Sequence, residues 1–409
     1  MAIHTVGMMV RSKRIFQVAC AVMLALLCLP EQASATHIVG GDLTYRCLGN
    51  NMYEIRLTVR RDCFNGAPNA QFDDPATVGI FNSQTNQLLT FIGVNGQLFM
   101  NFNPDDTLNQ EFISDCTIAG NDVCVHQTTY VDTIQLPFLQ SGYTLAYQRC
   151  CRNNTLQNIQ NPLNTGMTLV ANIPAFAQAE CNSSPVMGPY PEIYICVNEP
   201  IAFDFSATDP DGDSLAYELF TPFAGASEQF PQPQPPPSPP YQPINWMDPP
   251  YNLDNLLGGQ AVTIDPVTGM ITGMPNTIGQ FLIGVRIKSY RDGVLIENTT
   301  REWQYNVRMC RDVPVADFGV DTTLECNDAT IAFTDLSENA EQYFWIFDFG
   351  NPNSPTSTDT NPVFTFPNEG FFDVALIVND SDSICFDTLI MQVGAFQSEL
   401  TADFDVTVT

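Results

Sequence analysis

The sequence predicts an all-β chain of tandem sandwich modules, and three observations carry that prediction. Polar and apolar residues alternate in MYEIRLTV (52–59), TIQLPFLQ (133–140), SGYTLAYQ (141–148) and GMTLVANI (166–173), the pattern of strands with one buried face. No long run shows the capped 3.6-residue period of an amphipathic helix. The composition is rich in Phe, Thr, Val, Asn, Pro and Gly, residues of strands and turns.

The first element is a leader. Arg11, Lys13 and Arg14 precede the apolar run FQVACAVMLALLCLP (16–30), and Ala33-Ser34-Ala35 has the form of a cleavage site. Residues 1–35 are therefore expected to be a signal peptide, giving a secreted or cell-surface protein whose mature chain begins near Thr36. No later segment is apolar for long enough to predict a membrane span. Past residue 35 the chain has 12 Lys and Arg against 44 Asp and Glu. Such a polyanion repels nucleic acid. The remaining stretch of about 374 residues exceeds one hydrophobic core and predicts several domains.

Residues 36–190 are expected to form a cysteine-rich N-terminal β domain. Eleven cysteines lie beyond the leader: Cys47, Cys63, Cys116, Cys124, Cys150, Cys151, Cys181, Cys196, Cys310, Cys326 and Cys385. In an exported chain they predict disulfides, with an odd one left over. The neighbours Cys150 and Cys151 are expected to find different partners. A zinc site is not expected, because only His37 and His126 remain and no pair of CxxC motifs exists.

Residues 191–311 predict a second β-sandwich, running from IAFDFSATDPDGDSLAYELF to REWQYNVRMC with a turn at Arg291-Asp292-Gly293. Its proline-rich insertion, 231–243, cannot join a sheet ladder and predicts an exposed extended loop. Asp209, Asp211 and Asp213 alternate around Gly212, a spacing that can turn carboxylates toward one calcium ion. The same spacing also suits an Asp/Gly turn whose side chains cap their own backbone. No bidentate glutamate follows at EF-hand spacing. Together with DPVTGMITGMPNTIGQF (265–281), DPDGDSLAY resembles the cadherin-like and immunoglobulin-like modules of bacterial surface proteins.

Residues 312–395 predict a third module. In YFWIFDFG (343–350), alternation places Tyr343, Trp345, Phe347 and Phe349 on one face. With VFTFPNEGFFDVALIVND (363–380), the segment resembles the PKD (polycystic kidney disease) domain family, which implies an immunoglobulin-like β-sandwich. By that resemblance Phe366, Gly370, Phe372, Val374, Leu376 and Val378 occupy motif positions, beside Thr334, Asp335 and Ser337. Trp345, Phe349, Phe372, Val374 and Leu376 are the expected core. Asn351-Pro352-Asn353 stands where the family usually has an Asp-Gly turn. Cys326 and Cys385 flank this core and are expected to pair. Phe344, Ile346, Phe371, Ala375 and Ile377 form an apolar opposite face, expected to pack against a neighbouring module or partner. Ala316-Asp317-Phe318 recurs as Ala402-Asp403-Phe404, so 396–409 reads as the start of a further PKD-like repeat.

No nucleophile elbow, HExxH motif or P-loop occurs, and no enzyme is expected. THIVGGDLTYRC, YQRCCRNN and the 263–310 segment resemble the start of PKD-containing surface proteins of gliding bacteria exported by the type IX route. The resemblance implies a non-enzymatic structural or adhesive protein that binds glycan or protein ligands outside the cell, with calcium as the one expected cofactor. An accessory region of a secreted polysaccharide- or protein-degrading enzyme is the alternative reading, and catalysis within residues 36–180 a third.

Overall fold

The structure is a computed structural model that describes residues 37–64, 71–102, 108–109, 124–191, 194–310, 312–321, 329–379 and 385–396. The expected signal peptide, Cys116, Cys326 and the second Ala-Asp-Phe copy lie outside the described residues.

Strands are numbered in chain order. The largest sheet has eight: β1 (Ile38–Gly49), β2 (Met52–Asp62), β5 (Leu108–Asn109), β6 (Val125–Gln135), β10 (Tyr194–Cys196), β13 (Ser214–Leu219), β16 (Gly279–Arg291) and β17 (Val294–Arg308). Their order is β13-β16-β17-β1-β2-β6-β5, with β10 parallel to β17. Strands β3 (Ala76–Asn82), β4 (Gln97–Met100), β7 (Tyr143–Arg149) and β8 (Met167–Ile173) form a second sheet, β4-β3-β7-β8. A third, β11-β15-β14, joins Ile201–Asp204, Met270–Met274 and Gln260–Ile264, while β9 (Val186–Met187) pairs with β12 (Ala207–Thr208). The fold is all-β, with helix reduced to short pieces such as α1 (Ala175–Ala179).

The large sheet crosses the expected boundary at 190/191. In the β1–β17 register Gly41 lies opposite Glu302 and Asp42 opposite Arg301. Side chains of opposed residues share a face and alternate along each strand. Leu43 and Tyr45 therefore point one way, into a core with Leu57, Val78 and Leu169. Trp303 and Tyr305 point the other way, into a core with Phe205, Ile271 and Phe281. One sheet thus serves two offset sandwiches, a layout in which neither can bury its apolar face without the other's strand.

Where β17 turns its polar face inward, buried partners meet it. Arg152, with no exposure, donates Nη1 (2.6 Å) and Nη2 (3.2 Å) to Glu302, while Nε and Nη2 also reach the carbonyls of Gly166 and Phe223. The proline-rich segment is fastened to the first sandwich: the Cys150 amide donates to the Pro231 carbonyl (3.0 Å) and Gln232 Nε2 to Asp73.

Disulfides link Cys47 to Cys181, Cys63 to Cys124 and Cys196 to Cys310. The expectation of separate partners for Cys150 and Cys151 is corrected: they are bonded to each other and fully buried.

Residues beyond 311 carry a separate core between two sheets, β18 (Phe318–Asp321), β19 (Thr330–Asp335), β22 (Val363–Thr365) and β21 (Thr356–Ser357), β20 (Tyr343–Ile346), β23 (Gly370–Val378), β24 (Asp387–Ala395). Trp345, Val374 and Leu376 have no exposure, and Phe372 stacks on Phe366 at 4.3 Å at the core's edge. Phe349 is corrected: it is 43% exposed, because β20 ends at Ile346 and the chain turns, leaving Phe347 as the last inward ring. Ala375 is likewise buried, between Ile346 and Ile390 on the flanking strands, whereas Phe371 is exposed.

Candidate functional site

The face of β1 and β2 opposite the first core meets the short β9–β12 pair rather than a large sheet. Even-numbered residues of the β1–β2 hairpin occupy it: Asp42 opposite Thr58, Thr44 opposite Arg56, Arg46 opposite Glu54. The left-handed turn Gly49-Asn50-Asn51 sets that register. The segment 183–187 and Pro210 wall this face, forming a cleft of about 530 Å³.

Its floor is two buried arginines on one carboxylate. Asp42 Oδ2 accepts from Arg301 Nε at 3.0 Å and from Arg60 Nη1 at 3.4 Å. Arg301 also donates to the carbonyls of Gly188 and Pro189. The Arg60 guanidinium lies 3.5 Å over the Tyr190 ring, and its buried Nε has no partner. Burial lowers the Arg60 guanidinium from its ordinary value. It lifts the Tyr190 phenol, against the pull of Arg60.

The mouth is closed by exposed ion pairs. Arg46 and Arg56 share Glu54, at 2.9 Å and 3.6 Å, with their own side chains 61% and 50% exposed. Exposed pairs of this kind hold little energy and exchange readily for another anion. Four arginines thus face two carboxylates inside the cleft, within a chain of formal net charge -30. Ser183 and Ser184 hydroxyls, also on the wall, accept from the Cys47 and Tyr45 amides. The arrangement can receive a carboxylate or sulfate by charge-assisted, bidentate hydrogen bonds.

The structure places the expected calcium residues beside this cleft, in a turn. Asp209 Oδ1 accepts from the amides of Asp211 (2.9 Å) and Asp213 (3.1 Å), Asp211 Oδ2 from the Ser183 amide (2.7 Å), and Asp213 takes a bidentate pair from Arg291. Each carboxylate is thus turned to its own donor. The three do not bring their oxygens within 4.8 Å of one another; among the described residues only Cys63, Cys124 and His126 meet that spacing, and both cysteines are in a disulfide. Trp345, Val374 and Leu376 sit in the separate third core, away from any cleft. The Cys326–Cys385 pairing falls on a residue outside those described, although Cys385 is disulfide-bonded.

Sequence reasoning passed over the arginines. Arg46, Arg56 and Arg60 share the parity that avoids the core, which was legible in the hairpin. Arg301, some 240 residues further along, needed the β1–β17 pairing.

No family model matches the chain, the PKD model included, and no curated protein matches it. Among solved structures it is similar to a chain from a study of Dscam isoform specificity, at 7% identity and TM-score 0.18, over 88% of this chain and 73% of that one. The N-terminal four Ig domains of Dscam1 isoform 8.4 give 9% identity and 0.16, covering 82% and 78%. Dimeric latent PorU from Porphyromonas gingivalis gives 9% and 0.16, and the match spans 87% of this chain but a third (33%) of that one. The fold assignment rests on the strand pairing itself. No described helix is long and apolar enough to cross a membrane, and the four disulfides between described residues suit an extracellular setting.

Proposed function

We propose that this chain is a non-enzymatic, secreted or cell-surface binding protein that grips anionic groups of glycan or protein ligands in the arginine cleft. The observation that carries the reading is the gathering of Arg46, Arg56, Arg60 and Arg301 in one concavity of an otherwise acidic chain. Arg60 and Arg301, locked on Asp42, set a fixed positive floor; Arg46 and Arg56 exchange Glu54 for the ligand. The surrounding negative charge rejects anions elsewhere on the surface and so focuses them here. The 312–395 unit is read as a PKD-type spacer.

The experiment is biolayer interferometry of the full chain on immobilised polyuronate and sulfated polysaccharides, with neutral glucan as reference, at low and high salt. Salt-sensitive binding to the acidic surfaces, lost in an Arg46→Ala/Arg56→Ala double variant, is expected. Equal binding to neutral glucan, or binding that the double variant retains, would remove the reading.

A further inference from the structure

A second cavity lies on the other face of β17. Arg301 points into the arginine cleft, so by strand alternation Thr300 and Asn298 point the opposite way. There they line a space of about 390 Å³ with Thr144 of β7, Asn172 of β8 and Arg286 of β16. Val170, Phe223, Pro239 and Tyr241 supply its apolar side. The volume falls within the usual range of small-molecule sites.

The walls are pinned to one another. Arg286 lies opposite Thr300 in the β16–β17 register, and Thr144 opposite Asn172 in the β7–β8 register. The Thr168 amide donates to the Phe223 carbonyl (3.2 Å), the Thr168 hydroxyl to the Ala224 carbonyl (2.7 Å), and the Ala224 amide to the Gln242 carbonyl (2.8 Å). The Phe223 and Tyr241 rings pack at 6.3 Å. A cavity framed by sheet strands and a fastened loop is preformed, which spares a ligand the cost of ordering it.

Half-buried polar groups are normally paired, and several here are not. Asn172 Oδ1 accepts from the Thr144 hydroxyl (2.9 Å), leaving its amide N–H groups unpaired among the described residues. The Tyr241 hydroxyl and Asn298 Oδ1 are shielded from bulk solvent and have no partner. Asn298 makes no side-chain hydrogen bond at all among the described residues, so nothing fixes the direction of its amide. Thr300 is likewise without a side-chain partner there. The only charge on the wall is Arg286, which shares Glu218 with Lys288, at 2.8 and 2.6 Å. No carboxylate lines the space. A metal cation therefore has no hard anionic ligand here, and a purely apolar molecule would leave every amide and hydroxyl unpaired. The lining asks for a small neutral group that carries an N–H, a carbonyl and a methyl side by side, with hydroxyls around it.

We propose that this cavity binds an N-acetylated amino sugar, free or as the end unit of a glycan. The acetamido methyl packs on Phe223 and Val170, its carbonyl accepts from the Asn172 amide, and its N–H donates to the Asn298 oxygen once that amide turns forward. Thr300 and Arg286 are left for the ring hydroxyls. The site and the arginine cleft use opposite faces of β17, so each stands or falls without the other.

The test is saturation-transfer NMR of the full chain with N-acetylglucosamine, its β-linked trimer and, as reference, glucose. Saturable transfer to the acetamido methyl is expected, at an affinity at least about tenfold above glucose, as the loss of one or two hydrogen bonds and a methyl contact predicts. Transfer from the trimer confined to one terminal unit identifies a glycan end as the natural source; transfer from the monosaccharide alone identifies the free sugar. Asn172→Ala/Thr300→Val is expected to abolish the signal, and Arg46→Ala/Arg56→Ala to retain it at low and high salt. Should the first variant fail to fold, intermolecular NOEs from the acetamido methyl to the Phe223 and Tyr241 rings of wild type carry the test. Glucose binding as tightly as the acetamido sugar, NOEs to other rings only, or no saturable transfer from wild type overturns the site.

Discussion

Arg152 and Glu302 show how a buried charge is tolerated: four of the five guanidinium N–H groups find an oxygen, two on the carboxylate and two on carbonyls. Removing one partner strands the other in a dry site, so Glu302→Gln is expected to cost about 3–5 kcal/mol, read as a lower denaturant midpoint. Replacing both by apolar residues of similar volume is expected to recover most of that loss. Glu297 differs because no described Lys or Arg pairs with it. Burial pushes its carboxyl up to about 7 from 4.5. The unfolded chain ionises first as pH rises, so the folded state loses stability between those two values, by about 3 kcal/mol, and the loss is complete above 7. Glu297→Gln is expected to flatten that slope in urea melts across the range. Neither partnership was legible in the sequence, since Arg152 and Glu302 are 150 residues apart and nothing local distinguishes them from surface charges.

Strands were far more legible than their ends. Period-two alternation located β2, β7, β8, β16, β17 and β20, and it put Trp345 in a core correctly because the strand around it is regular. It failed at Phe349, where the same alternation was extended past the last paired residue, Ile346. A turn has no period, so aromatic content alone misleads there. The consequence is measurable: Phe347→Ala is expected to cost about 3–5 kcal/mol by removing a ring stacked on Phe364 at 4.1 Å. Phe349→Ser is expected to stay within about 0.5 kcal/mol. The turn Asp209–Asp213 was equally recognisable as a motif, yet the motif's two readings differ only in which donors reach the carboxylates. The opposing Ser183 and Arg291, which hold the Asp211 and Asp213 carboxylates, come from distant segments that the motif does not contain.

At the scale of the molecule, the composition and the cysteines indicated an all-β, disulfide-stapled chain, but not that β17 closes a sheet begun by β1. The proposed division at 190/191 followed a change in sequence character, whereas the pairing of Asp42 with Arg301 joins the two halves and builds the cleft. Residues 37–311 are therefore expected to melt in a single transition, and a fragment ending at residue 190, with the β1 edge and the Asp42 carboxylate uncovered, is expected to aggregate. Separate reversible melts for the two halves would contradict the shared sheet. The same pairing makes the cleft's floor, so architecture and binding are one claim, and it can be read directly. Side-chain Nε–Hε resonances of the arginines, followed by NMR while an acidic oligosaccharide is titrated into the full chain, report each guanidinium separately. The account predicts that Arg46, Arg56, Arg60 and Arg301 shift together and saturably while Arg152, Arg286 and Arg291 stay in place; shifts confined to the latter group, or none at all, would contradict it.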